Sequence, residues 1–482
     1  RFVAGALGPC SRPGTPWGEL VAAYEEQVRG LVDGGADLLA IEAVSDIVSA
    51  RAAIYGAEEY FAKAKKKPLP LIITASVADT GRTPAGATLE AICISMRYAR
   101  PLSIGMSCDM GAKQSAGAYK ALSAACSSWC HFCPSAAGDD PEKFAAAAAD
   151  CAQDGGLNFV GGCAGVTAAH ITAAAQRLAS APKRALPPVA AAPPLTLSGL
   201  EACVVTPDEG CRLVGQRCTQ MGSAKFKRLV DAFKATGSEA KLRAAAAVCA
   251  DQCGKEADLL DANLDSDCVD GAPTPGKGAM GHFMRICTAE PKIAKAPFMI
   301  TSCHWDVIKE GLCAAPGKSI VNGICLMLGE EEFLRIAKEC MRFGAAVVVL
   351  AIGEKGQADT YNDKVKICQQ SYKLLRQKLD FPAQDIIFDC QVQMLGAPET
   401  ASCAIDFINA VGELKKTCPQ ASFIGGVSNI SMGFRNLDMI RDAMHSVFLY
   451  HAVPKGLNLA LIEPGALPRY TDLNVEVLTL CE

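Results

Sequence analysis

The residues with chemistry to offer sit where apolar runs end. Asp261 and Asn263 follow Leu259-Leu260, Asn322 follows Ser319-Ile320-Val321, and Asp389 closes Ile386-Ile387-Phe388. The run Phe423-Ile424 opens through Gly425-Gly426-Val427 into Ser428-Asn429, with Arg435 six residues on. A carboxylate only accepts hydrogen bonds, an amide both donates and accepts, and a guanidinium offers a fixed fork of donors. Such a set suits a flat heteroaromatic ring with several polar edges. Each position alone also looks like a helix cap, because Asp and Asn commonly start the helix that follows a strand. Several strands ending this way together favour a ligand site. The two glycines are expected to let the backbone approach a bound group closely.

The elements that must carry these residues are buried strands alternating with helices. Between Arg1 and Ala179 six strands are expected: Phe2–Gly5, Leu38–Glu42, Leu71–Ala75, Ser103–Met106, a weaker one at Trp129–Phe132, and Phe159–Gly162. Helices are expected at 18–33 and 141–154, the first burying Leu20, Ala23, Tyr24, Val28 and Leu31 on one face. Residues 180–199 are rich in Pro and Ala and read as an extended linker. From Leu200 the rhythm returns with eight strands, at Arg212–Val214, Leu259–Ala262, Phe298–Ile300, Ser319–Asn322, Ala346–Leu350, Ile386–Asp389, Phe423–Gly425 and Leu457–Leu461. Near-continuous apolar strands are buried on both faces, as parallel strands are. The expected fold is α/β, two (β/α)8 TIM-type barrels in tandem, the first (1–179) lacking its first two βα units and the second (200–482) complete. An open six-strand sheet would have edges in need of cover.

Composition narrows the function. The 482 residues are 50% hydrophobic and 20% charged, with a formal net charge of -4. No basic excess points to nucleic acid, and no run of about twenty apolar residues points to a membrane span. The 24 cysteines are scattered through apolar segments, so reduced, buried thiols and a cytoplasmic or organelle-interior location are expected. The chain starts at Arg1 within a strand pattern, which leaves a removed targeting peptide open.

The second half resembles the pterin-binding barrel of cobalamin-dependent methionine synthase. The matching signatures are Gly215-Gln216-Arg217, Gly222 to Phe226, Asp261-Ala262-Asn263-Leu264-Asp265, Ile320-Val321-Asn322, Glu354 to Thr360, Phe388-Asp389, Gly425 to Arg435 and His445 to Ala452. The first half resembles the homocysteine-binding barrel of the same family through Arg1 to Pro9, Gly34 to Glu42, Pro101 to Gly105 and Val160 to Cys163. The resemblance implies that a folate or pterin is held by Asp261, Asn263, Asn322, Asp389, Asn429 and Arg435. It also implies that zinc is held by thiolates at Cys108 and Cys163, and that methyltetrahydrofolate and homocysteine are the small-molecule partners.

The departures from the family pattern fall on polar positions. The third zinc thiolate should follow Cys163, where Ala164 stands. Cys126, Cys130 and Cys133 have metal-like spacing but read better as core cysteines. The family's Glu-Arg-Thr-Asn is Gln216-Arg217-Cys218-Thr219, its Ile-Asp-Ser-Ser is Ile300-Thr301-Ser302-Cys303, its Phe-Asp-Glu is Ile352-Gly353-Glu354, and its Asp-Pro-Asn is Asp389-Cys390-Gln391. None of the six histidines lies in the Asp-x-His-x-x-Gly context that ligates cobalt, so this chain is expected not to bind cobalamin itself. Two readings follow. One is a methionine-synthase-like protein with lost or impaired catalysis, kept as a structural or interaction subunit of a larger assembly. The other is an active methyltransferase component passing a methyl group from 5-methyltetrahydrofolate, through a separate cobalamin carrier, to homocysteine.

Overall fold

The computed structural model describes residues 1–9, 14–153, 156–188, 190–220, 222–265, 278–396, 400–434, 436–465 and 467–482. They form two compact units. The first comprises Arg1–Val189, Ser198–Ala202 and Arg342–Gly344, and the second Ala190–Leu197, Cys203–Met341 and Ala345–Glu482.

In the first unit six strands are borne out: β1 (Ala4–Leu7), β2 (Leu38–Val44), β3 (Leu71–Ser76), β4 (Ser103–Gly111), β5 (Trp129–Ser135) and β6 (Phe159–Val160). They pair in chain order, all in parallel. The helices between them bury one face each. Helix Trp17–Asp33 buries Leu20, Tyr24 and Val28, a stripe spaced every four residues, and leaves Ala23 exposed because it falls off that stripe. Helix Ile47–Ala64 starts at Asp46, whose carboxylate accepts the Ser49 N–H at 2.8 Å, and ends at Lys65 in the left-handed conformation.

Ahead of the second barrel in the chain is a hairpin, β7 (Leu195–Ser198) and β8 (Ala202–Val205), so part of the Pro/Ala-rich stretch is a strand. The eight strands that follow are β9 (Arg212–Thr219), β10 (Leu259–Asn263), β11 (Phe298–Thr301), β12 (Ile320–Ile324) and β13 (Ala346–Leu350), then, after the short hairpin β14 (Ile352–Gly353) and β15 (Gly356–Gln357), β16 (Ile386–Asp389), β17 (Ser422–Gly426) and β18 (Leu459–Ile462). They close into a parallel barrel in which β18 returns to β9. Side chains alternate between the two faces of a strand, so every second residue points to the axis. One buried cluster takes a residue from each barrel strand, among them Val214, Leu259, Met299, Ile320, Val348 and Leu459. Leu195, Leu197 and Val205 of the β7–β8 hairpin join the same cluster and seal the barrel's lower end.

No helix among the described residues is long and apolar enough to cross a membrane. The described cysteines are free thiols, most of them buried.

The apolar floor should dominate the stability of this unit. Leu459 is fully buried, so Leu459→Ala should cost about 2–5 kcal/mol, read as an earlier urea midpoint for the transition of the second unit.

Candidate functional site

The next inward layer lies two residues further along each strand. Counting on from the apolar cluster gives Gln216, Asp261, Thr301, Asn322, Leu350, Asp389, Gly426 and Leu461. Five of the eight are polar. The alternation that builds an apolar floor thus raises a polar shelf toward the C-terminal mouth, where barrels of this type bind ligands.

Three shelf residues on adjacent strands are joined. Thr301 donates its hydroxyl to Asp261 at 2.5 Å and accepts from the Asn322 amide at 3.1 Å. Asp261 is only 5% exposed, and burial pushes its carboxyl up to about 7, against the opposing effect of the Thr301 hydrogen bond. Between the register pairs Leu260–Gly215 and Ala262–Cys218, strand β9 carries one extra residue. Gln216 and Arg217 therefore both lie across from Asp261, as a bulge places them. Gln216 reaches Ser428 at 2.6 Å, while Arg217 pairs with Glu463 and donates to the Gly222 carbonyl at 3.3 Å.

Asp389 closes β16 on the far side of the barrel. Its carboxylate accepts the Gln391 N–H at 2.8 Å, and burial pushes it up to about 6. Asn429, exposed on the 3-10 turn Val427–Phe434, donates to the Val392 carbonyl at 3.3 Å and so bridges to the loop beyond Asp389. Asn263 is engaged locally, accepting the Asp265 N–H at 2.9 Å, and Asp265 in turn holds Ser302 at 2.8 Å and the Cys303 N–H at 3.0 Å. Arg435 lies outside the described residues.

The glycines before Asn429 serve packing within the chain. A Cβ on Gly426 would sit 2.7 Å from the Asn429 amide nitrogen, and one on Gly425 would sit 2.8 Å from the Phe407 ring. They make room for neighbouring side chains within the chain itself.

In the first unit, Cys108 lies within β4 and Cys163 in the loop after β6, and the Cys163 thiol donates to the Cys108 carbonyl at 3.1 Å. The Cys108 thiol donates to the Met110 carbonyl at 3.4 Å, and burial raises its pKa. Cys133 is within electrostatic reach of Glu42, Cys163 and Cys108, but burial pushes its thiol up to about 12. Cys126 and Cys130 belong to the hydrophobic core. Among the described residues no group of three or more His, Cys, Asp or Glu side chains could hold a metal ion. The donors present therefore do not fit a three-thiolate zinc centre.

Residues 230–463 match the family described as pterin binding enzyme. Residues 1–178 match the family of homocysteine S-methyltransferase. Together the two matches give the chain a methionine-synthase-like architecture. Among solved structures, the homocysteine methyltransferase of Escherichia coli is similar at 21% identity over 36% of this chain, with a TM-score of 0.31. The similarity spans 62% of that enzyme's length. The dihydropteroate synthase of Xanthomonas albilineans is 16% identical over 60% of this chain and 97% of its own, with a TM-score of 0.41, and that of Yersinia pestis 12% identical over the same shares at 0.37.

Within the pterin-binding segment, two contributors escape a reading of sequence alone. Thr301 looks like the loss of an acid, yet it is the link between Asp261 and Asn322. Lys364, in the first turn of helix Tyr361–Leu379, is fully buried, which lysine seldom is. The one available signal was electrostatic, since a cation at a helix N-terminus opposes the helix dipole and calls for another partner.

The raised Asp261 carboxyl has a consequence for stability. Unfolded chain sheds this proton near pH 4, whereas the folded barrel keeps it to about pH 7. Between those values the folded state binds more protons, so stability falls as pH rises. Asp261→Asn should flatten part of that decline in urea unfolding followed from pH 4 to about 7, leaving the smaller share of Asp389.

Proposed function

We propose that the second unit binds a reduced folate by its pterin ring, and that the chain is a methionine-synthase-like protein whose methyl transfer to homocysteine is impaired or lost. In this reading the chain serves as a structural or interaction subunit of a larger assembly. The observation that carries it is the contrast between the units: the polar shelf of the barrel is populated and internally paired, while the thiols of the first unit stop short of a metal-binding set.

A pterin presents an amino group and ring N–H groups on one edge and acceptors on another. Asp261 and Asp389 take the donor edge, and Asn322 and Asn429 supply both donors and acceptors. Thr301 replaces a carboxylate in the family pattern, and the loss of one buried partner typically costs about 1–3 kcal/mol of binding. Because Thr301 ties Asp261 to Asn322, the remaining groups are held in place and the loss is partly offset. A catalytic zinc normally has three protein ligands, and here only Cys108 and Cys163 stand at the family's thiolate positions, with Ala164 at the third, which supports impaired handling of homocysteine.

The preserved shelf also favours a second reading, in which the chain is an active methyltransferase component that meets a separate cobalamin carrier at the barrel mouth. Calorimetric titration with 5-methyltetrahydrofolate and zinc analysis of the same sample separate the two. Micromolar folate binding with zinc well below one per chain is expected. Absence of folate binding would overturn the ligand assignment, and stoichiometric zinc with methyl transfer to homocysteine would establish the active component. Ala164→Cys is expected to raise zinc content toward one per chain; unchanged content would count against Cys108 and Cys163 as metal ligands.

A further inference from the structure

The side chain of Lys364 is completely buried, yet among the described residues none of its hydrogen bonds goes to a carboxylate. Its ammonium group instead donates to three backbone carbonyls: Ala358 at 2.9 Å, Cys390 at 2.8 Å and Gln391 at 3.1 Å. Three donors meet three acceptors, so the group is saturated.

The acceptors close a ring around Asp389. The Asp389 carbonyl accepts the Ala351 N–H at 2.9 Å, and the Ala351 carbonyl accepts the Ala358 N–H at 2.9 Å across the base of the β14–β15 hairpin. The Ala358 carbonyl meets Lys364, Lys364 meets the carbonyls of Cys390 and Gln391, and the Gln391 N–H returns to the Asp389 carboxylate at 2.8 Å. Gln391 has φ of 60°, a left-handed conformation that a non-glycine residue adopts when its surroundings impose it. Two carbonyl contacts from one ammonium, at Cys390 and Gln391, fix this turn from below.

We propose that Lys364 is the positioning residue of the pterin site: it clamps the β14–β15 hairpin to the turn after β16 and so sets the place and charge of the Asp389 carboxylate. The proposal rests on the folate reading for its purpose, though the clamp itself is a property of the free protein. The charged and titratable groups around the ammonium are Asp389, Asp359, Cys390 and Cys403. Burial lowers the lysine pKa, while the ammonium works against the burial that raises Asp389. Removing the charge should therefore move the Asp389 carboxyl further up, and removing the donors should release the Gln391 turn.

The test compares wild type with Lys364→Met, which keeps the length and apolar stem without charge or donors. Three readouts are taken: carboxyl NMR titration of Asp389, hydrogen exchange of the Gln391 amide, and calorimetric titration with 5-methyltetrahydrofolate. In the variant, Asp389 is expected to titrate about half a pH unit or more higher, Gln391 to exchange at least about tenfold faster, and folate to bind about tenfold more weakly. Unchanged titration and exchange would overturn the clamp whatever happens to folate. If the free-protein readouts shift while wild type binds no folate, the clamp stands and the ligand assignment falls. Should Lys364→Met fail to fold, Lys364→Gln serves the same comparison, and the wild-type Gln391 amide decides on its own: exchange as slow as in the barrel strands supports the clamp, and free exchange overturns it.

Discussion

Closure of the parallel barrel is the constraint on which the second unit depends. Once eight strands return on themselves, each strand must send alternate side chains into one shared interior. The apolar residues that satisfy this at the floor fix, two residues later, which side chains face the mouth. Asp261, Asn322 and Asp389 are therefore neighbours of a common space although 61 and 67 positions separate them along the chain. No local preference of the loops is needed to bring them there.

A polar shelf over an apolar floor is costly unless its members are paired, because unsatisfied groups lose water without replacement. Here the pairing is built in. Asp261, Thr301 and Asn322 bond across adjacent strands, Asp265 gathers Ser302 and Cys303, and Asp389 holds the amide of Gln391. The same low-dielectric surroundings that raise both aspartates strengthen any hydrogen bond they make to a ligand. The pairing that offsets the cost of burial also fixes where the polar groups of the shelf lie, and Thr301 does both for Asp261 and Asn322.

The barrel strands were legible because parallel strands buried on both faces are largely apolar, and all fourteen expected strands are present, although β1 alternates exposed and buried residues and β6 is only partly covered. The strand-end residues stand out only as a set, since an Asp or Asn at the end of one strand is as readily a helix cap. What sequence could not convey was which groups partner one another. Thr301 reads as a missing acid until its two hydrogen bonds are seen. That Gly425 and Gly426 also make room for Phe407 and Asn429 shows only in the structure. Nothing local marks Lys364 as buried, because its three carbonyl partners come from segments whose approach depends on tertiary closure.

The β7–β8 hairpin makes the two ends of the barrel unlike. Leu195, Leu197 and Val205 pack into the apolar cluster at the start of the strands, so that end is covered by the chain's own side chains. The interior between is a packed core and not a passage. The polar side chains that close the strands therefore lie at the end the hairpin leaves uncovered, and the two faces of the barrel have different chemistry.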